Sequence, residues 1–104
     1  MSATRLAHNV FFKLSDNAPD RVEELVAACK KYLNVQPGIV FFAAGPICSE
    51  LCRDVNDRDW DVGLHIVFVD KAAHDGYQDD PTHNQFVAEM KPNWARVRVF
   101  DSFV

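Results

Sequence analysis

The chain has 104 residues, 48% of them hydrophobic, and a formal net charge of −4 at pH 7. This length favours a single domain over residues 1–104, because it supplies enough apolar material for one core only. The negative charge disfavours nucleic acids and anionic membranes as partners, since the longest basic run is Lys30-Lys31. No apolar run approaches the roughly 20 residues that span a bilayer, and residues 1–5 contain no signal-peptide core. We therefore expect a cytoplasmic protein.

The three cysteines predict free thiols. Cys48 and Cys52 lack the two-residue spacing and the second Cys/His pair of a zinc or redox motif. Cys29 lies on an apolar helix face and indicates a core position. The aspartates of segment 54–61 do not have the spacing of a Ca²⁺ loop, so we interpret them as solvated charge and predict no metal site.

The N-terminal half predicts a strand, a helix and a second strand. Residues 8–14 alternate with a period of two, and one face carries His8, Val10, Phe12 and Leu14. Segment 15–19 contains residues that start helices, and apolar residues then recur every three or four positions until Pro37-Gly38. The apolar run 39–44 predicts a strand that is buried on both faces.

The C-terminal half predicts a loop, a strand, a broken helix and a last strand. Segment 47–59 is polar and has no period, which is typical of a rim or a lid. The next strand has an apolar even face formed by Trp60, Val62, Leu64, Ile66 and Phe68. A short helix begins near Asp70 and breaks at Pro81, a second helix runs from about Thr82 to Lys91, and an alternating strand follows from Trp94.

This β-α-β-β-α-β order predicts an α+β, ferredoxin-like monomer with an antiparallel four-stranded sheet and helices on one face. The other face is still apolar and carries Phe11, His65, Val67 and Val69. Eight Phe, two Trp and two Tyr are many aromatic residues for so small a core. We therefore predict a homodimer in which the sheet faces pack into an α/β barrel.

The pattern Tyr77-x-x-x-Pro81-x-His83 predicts a functional site at the helix break. Backbone N–H groups at a helix start disfavour imidazolium, so His83 is expected to be a neutral base near a phenol. His8 would lie at the same polar end of a chamber between sheet and helices. The predicted apolar wall consists of Val10, Phe12, Leu64, Ile66, Phe68, Phe86 and Trp94. Trp94 could equally be a simple core residue.

Two further histidines are expected outside this chamber. His65 lies on the odd face of its strand, where it would form a hydrogen bond across a dimer interface. His74 is expected to be exposed.

Five sequence stretches together resemble the stress-responsive dimeric α/β barrel (Dabb) family over nearly the whole chain. They are residues 8–13 (HNVFFK), 60–64 (WDVGL), Phe68, 77–83 (YQDDPTH) and Asp101. The resemblance implies ferredoxin-like monomers that pair sheet to sheet. The family includes plant polyketide cyclases such as olivetolic acid cyclase, and similarity to these implies that His83 is the general base, Tyr77 its hydrogen-bonding partner and His8 a pocket residue.

Three functions are compatible with these features. The first is binding of a small apolar or carbonyl ligand, and the second is a lyase or cyclase that needs no cofactor, because a base and a hydrogen-bond donor suffice to abstract a proton next to a carbonyl. In the cyclases the first helix lines the pocket with aromatic residues, where this chain has Leu25, Val26 and Cys29, so the substrate should differ. The third is a non-catalytic stress protein, whose chamber should be plugged by side chains. Related haem-degrading enzymes and monooxygenases share the barrel, but their haem-ligand and Asn/Trp patterns are not evident here.

Overall fold

The computed structural model describes residues 4–104, so residues 1–3 of the predicted N-terminal segment lie outside the described part. Four strands and three α-helices follow one another in the order β1–α1–β2–β3–α2–α3–β4. The strands are β1 (Leu6–Leu14), β2 (Ile39–Pro46), β3 (Val62–Phe68) and β4 (Trp94–Phe103). The helices are α1 (Pro19–Tyr32), α2 (Lys71–Asp79) and α3 (Pro81–Met90), with a 3₁₀ turn at Lys91–Asn93 before β4.

The strands form one antiparallel sheet in the order β2-β3-β1-β4. This arrangement confirms the predicted ferredoxin-like fold. The register places His8 opposite Ile66 of β3 and opposite Asp101 of β4. Since side chains of directly paired residues lie on the same face of a sheet, Asp101 belongs to the face of His8.

The helices cover the face that carries the even-numbered residues of β1 and β3. Leu6, Val10, Phe12 and Leu14 of β1 are all buried there, and so is the even face of β3. The helices contribute Leu25, Ala28 and Cys29 of α1, Tyr77 of α2 and Phe86 of α3 to the same core. Cys29 is fully buried as predicted, and burial raises the pKa of its thiol to about 12.

The opposite face of the sheet is largely uncovered in the single chain. Phe41 and Phe100 are 55% and 54% exposed. The prediction that β2 is buried on both faces is therefore wrong for the single chain, because β2 is an edge strand and no helix covers its second face. An apolar run alone cannot distinguish a central strand from an edge strand whose outer face is bare.

The loop 47–61 is anchored on this uncovered face. Asp57 forms an ion pair with Arg98, and Asp59 forms one with Lys13. Trp60 donates a hydrogen bond from Nε1 to the backbone oxygen of Asp57 at 2.8 Å, and its ring packs edge to face on Phe11. The loop is therefore not a lid over the helix-covered face, where the candidate site lies.

Helix α1 ends earlier than the predicted boundary at Pro37-Gly38. Its last residue is Tyr32, and Leu33 caps it by donating its backbone N–H to the oxygen of Cys29 at 2.9 Å. No helix within residues 4–104 is long and apolar enough to cross a membrane.

Candidate functional site

A chamber of about 160 Å³ lies between the sheet and the helices. All three predicted polar residues, His8, Tyr77 and His83, line it. Its remaining wall is mostly apolar and consists of Val10, Phe12, Leu33, Leu64, Gln78, Phe86, Val87, Trp94, Val97 and Val99.

The sheet fixes His8 in this chamber. The residue lies on β1, between β3 and β4, and is only 4% exposed. Its Nδ1 lies 2.6 Å from Oδ1 of Asp101, the residue paired with it on β4. Because a carboxylate only accepts hydrogen bonds, Nδ1 carries the proton and Nε2 carries the lone pair of the neutral ring.

Two aspartates at helix starts position Tyr77 and His83. Asp70 caps α2 by accepting a hydrogen bond from the backbone N–H of Ala73 at 2.9 Å, and Tyr77 follows in the last turn of that helix. Asp80 accepts from the backbone N–H of Thr82 at 2.7 Å and so caps α3, whose third residue is His83. The extended backbone of Asp80 separates the two helices and turns the imidazole back toward the phenol.

The rings of Tyr77 and His83 meet edge to face, with centroids 4.7 Å apart. This contact replaces the hydrogen bond that the family resemblance implies for the pair. Nδ1 of His83 is buried and has no hydrogen-bond partner in the described part of the chain. An unsatisfied buried nitrogen costs free energy, so this atom is available to a polar group of a ligand.

The surroundings keep the site neutral at neutral pH. Burial lowers the pKa of His83, and the nearby His8 lowers it further. Burial also lowers the pKa of His8, although the hydrogen bond that its Nδ1 donates to Asp101 opposes this effect. Burial raises the pKa of Tyr77, so its hydroxyl remains a proton donor. The chamber therefore offers neutral imidazoles beside a protonated phenol.

His74 is not exposed as the sequence suggested. Its side chain is 16% exposed, and its ring lies 5.0 Å from the ring of His8 and 5.6 Å from that of Phe68, measured between centroids. The position escaped prediction because α2 has only 9 residues, too few for the apolar period to define which side faces the sheet.

The structure brings five of the seven predicted apolar residues to the chamber wall. The other two, Ile66 and Phe68, are fully buried and support the wall from the core. Trp94 does line the chamber and packs on Phe12 with ring centroids 4.9 Å apart, while its Nε1 is buried without a hydrogen-bond partner.

Four apolar wall residues and Gln78 were missed, although the sequence contained a signal for each of the four apolar ones. Val97 and Val99 alternate with Arg98 on the strand that also carries Asp101. Leu33 follows Cys29 at helical spacing, and Val87 follows His83 in the same way.

His65 lies on the other face of the sheet, as its odd position predicts. Its Nδ1 is 2.9 Å from Oδ1 of Asn9, so its hydrogen bond runs to the neighbouring strand of its own chain. The two exposed cysteines, Cys48 and Cys52, are free and also lie away from the chamber.

Comparison with models of protein families shows to which family the chain belongs. The model of the stress responsive A/B barrel domain matches residues 6–104. The chain belongs to this family, Dabb. The match covers every strand and helix, and it confirms the family identified from the five sequence stretches. No curated protein matches the chain.

Solved structures share the fold over almost the full chain. A Dabb family protein from Mesorhizobium loti is 24% identical, with coverage of 95% of each chain and a TM-score of 0.77. A dimeric ferredoxin-like protein from a Jannaschia species is 26% identical, covers 96% of this chain and 99% of its own, and has a TM-score of 0.76. A hydroxynitrile lyase from Passiflora edulis is 18% identical, with 96% and 93% coverage and a TM-score of 0.76.

Proposed function

We propose that this Dabb protein binds a small organic molecule with an apolar body and one carbonyl or hydroxyl group. The observation that carries the proposal is the chamber itself, an open space of about 160 Å³. At its polar end, Nδ1 of His83 is buried and unpaired in the described part of the chain. A stress protein that used the barrel only as a scaffold should fill this space with side chains. Small-ligand sites typically combine apolar walls with a few convergent polar groups, as here.

The volume suits a ligand with one ring. An engineered apolar cavity of about 150 Å³ in another protein binds benzene. Val97 and Val99 at one wall are 38% and 50% exposed, so a longer ligand could extend past them toward solvent. The neutral ring of His83 and the hydroxyl of Tyr77 would hold the polar group of such a ligand.

Acetophenone and ethylbenzene form a matched pair of probes, because they share a ring and differ in the carbonyl group. We expect both to shift the NMR signals of chamber residues, with acetophenone binding more tightly. Val99→Trp should fill the opening and weaken acetophenone binding by roughly tenfold, since about 1–2 kcal/mol of apolar burial is lost. Val40→Trp is the control, because Val40 is similarly exposed at 46% but lies outside the chamber.

Binding that is unchanged in Val99→Trp, or equally reduced in both variants, would rule out the chamber as the binding site. Failure of both probes to shift any chamber signal would contradict the proposal itself.

A second candidate function is acid–base catalysis on a carbonyl compound without a cofactor. Its specific support is the geometry of His83, a half-buried neutral imidazole with a buried Nδ1, whose ring contacts a protonated phenol. The neutral nitrogen would take a proton from a carbon between two carbonyls, and the electron pair would form an enolate whose oxygen accepts a hydrogen bond from Tyr77. The enolate carbon would then attack the carbon of a further carbonyl in the same molecule. The resulting alkoxide would take up the proton that His83 holds.

Turnover of a β-polyketone tests this candidate. We expect His83→Ala to abolish turnover, because it removes the base, and Tyr77→Phe to lower the rate by less, because it removes one hydrogen bond only. His65→Ala serves as the control, since this imidazole lies on the other face of the sheet. Turnover that persists in His83→Ala would exclude this residue as the base.

We also infer a homodimer formed through the uncovered sheet faces. The support is the exposed apolar surface opposite the helices, including Phe41 and Phe100. Dimeric proteins among the related structures, such as that from Jannaschia, agree with this inference.

A further inference from the structure

His8, His74 and Asp101 form a compact cluster beside the chamber. One ligand atom from each residue lies within 4.8 Å of the other two. The three residues come from β1, α2 and β4, so the fold alone brings them together. His8 contributes to the chamber wall, whereas His74 and Asp101 do not.

The hydrogen bonds of His74 leave a free lone pair inside the cluster region. Its Nδ1 lies 3.1 Å from Oδ1 of Asp75, and a carboxylate can only accept, so Nδ1 is the donor. The lone pair is then on Nε2, which is buried and has no hydrogen-bond partner among residues 4–104. A carboxylate that holds the remote nitrogen of an imidazole is the usual support for a metal-binding histidine.

His8 would bind through the nitrogen that faces Asp101. Its Nδ1 lies 2.6 Å from Oδ1 of Asp101, and a metal ion would replace the proton between these two atoms, so that both become ligands and Nε2 carries the proton of the neutral ring. Asp101 is 41% exposed at its side chain and can therefore move without disturbing the core. A neutral imidazole, a second neutral imidazole and a carboxylate are together a donor set for divalent transition metals.

We propose that His8, His74 and Asp101 bind one divalent transition-metal ion, with Zn²⁺ as the representative cation. Ligand atoms around Zn²⁺ lie about 2.0–2.2 Å from the ion, and thus at most ~4 Å from one another. The ligand atoms lie within 4.8 Å of one another, so the cluster must close by less than about 1 Å. Asp101 is already 2.6 Å from His8, and small side-chain rotations of His74 and Asp101 would supply this closure. Three protein ligands leave a position open, as in catalytic rather than structural zinc sites.

This site shares only His8 with the chamber proposed for an organic ligand, because His74 and Asp101 lie outside the chamber wall and His83 stays free. Metal binding is measured without the organic probe, and probe binding is measured without metal. The failure of one proposal is therefore distinguishable from the failure of the other.

The test uses the chain without a polyhistidine tag, in a Cys48→Ser/Cys52→Ser background. The two exposed thiols are removed because they could bind the same cations elsewhere. Calorimetry with Zn²⁺ should give one equivalent bound per chain. Co²⁺ should give visible absorption bands of nitrogen and oxygen ligation without a thiolate charge-transfer band.

Three variants assign the ligands. His74→Gln should weaken Zn²⁺ binding by about a hundredfold or more, since even residues that only support a ligand contribute roughly 10–100-fold. Asp101→Asn should weaken it and change the Co²⁺ spectrum, and this exposed position gives a second variant that leaves the core intact. His65→Gln is the control, because this histidine is bonded to Asn9 on the opposite face.

Absence of saturable Zn²⁺ binding in the cysteine-free background would overturn the proposal. Binding that His74→Gln and Asp101→Asn leave unchanged would also overturn it, and so would equal loss in His65→Gln.

Discussion

At the scale of single residues, several groups determine the protonation state of His83. Most of the proposed chemistry depends on this residue. Burial is the largest influence and lowers its pKa. His8 of β1 and His74 of α2 lower it as well, whereas Asp80 and Asn84 of its own helix raise it. Tyr77 of α2 covers the ring and stays protonated. The balance keeps the imidazole neutral at pH 7.

An NMR titration of His83 should therefore give a midpoint below the ordinary value of 6.5. The folded chain then binds fewer protons at this site than the unfolded chain does, so stability falls as the pH decreases through 6.5 toward the folded pKa. Urea unfolding at pH 7 and at about pH 5.5 should show this loss, and His83→Gln should reduce the difference. An unchanged difference in His83→Gln would mean that the residue does not contribute.

The sequence predicted some site residues better than others, and the reason is chain separation. Tyr77 and His83 are six positions apart across a helix break, so their proximity follows from local rules. His8 and Asp101 are 93 positions apart, and only the order of strands in the sheet makes them partners. The position of His74 depends on how α2 is rotated about its own axis. The residues of so short a helix do not determine that rotation.

At the scale of elements, the turn between α1 and β2 fixes the position of α2. Gly38 has a φ of +85°, a conformation that favours glycine, and its backbone oxygen accepts a hydrogen bond from the N–H of Val69 at 2.8 Å. A Cβ at Gly38 would lie 2.6 Å from Cβ of Ala73. The glycine therefore allows α2, with His74 and Tyr77, to pack close to the sheet.

Replacing glycine by alanine at two positions should have opposite effects on the free energy of unfolding. Gly38→Ala should lower the free energy of unfolding by about 1–3 kcal/mol, because it adds both an unfavourable φ and a steric overlap. Gly76→Ala should raise it by roughly 0.5–1 kcal/mol, since this glycine is helical and a Cβ there meets nothing within 4 Å. Urea unfolding measures both. Destabilisation of equal size in the two variants would contradict the role given to Gly38.

The local sequence at each helix end determines which helix boundaries could be predicted. Pro81 and the capping Asp80 define the start of α3 chemically, and the helix begins there. The end of α1 has no comparable signal before Pro37, because the chain leaves the helix at Leu33 through backbone hydrogen bonds alone. The exposure of β2 depends on its place at the edge of the sheet, which its apolar residues do not encode.

At the scale of the whole molecule, the sheet has one covered face and one bare face. The helices bury the face that holds the chamber, while Phe11, Phe41 and Phe100 remain at least partly accessible on the other. Apolar surface of this kind is typical of an interface, and burying it contributes roughly 25 cal/mol per Å². Since Nδ1 of His65 is already bonded to Asn9 there, covering the centre of this face leaves only Nε2 of that imidazole to find a partner.

Val67→Asp tests whether this face is an interface. Val67 lies in β3 on the uncovered face and is only partly buried in the single chain, so a carboxylate there would remain hydrated in a monomer. In a homodimer the same carboxylate would be buried without a partner, and we expect dissociation or aggregation. Val35→Asp provides the control, since Val35 is 63% exposed and lies outside the sheet.

Light scattering at micromolar concentration measures the outcome. The parent chain and Val35→Asp should both have the mass of a dimer, and denaturation should separate the subunits as it unfolds them. A parent chain that is a folded, monodisperse monomer would contradict the homodimer. A Val67→Asp variant that stays dimeric and folded would instead place the interface on another surface, because an unpaired carboxylate cannot be buried between two apolar sheets at so little cost.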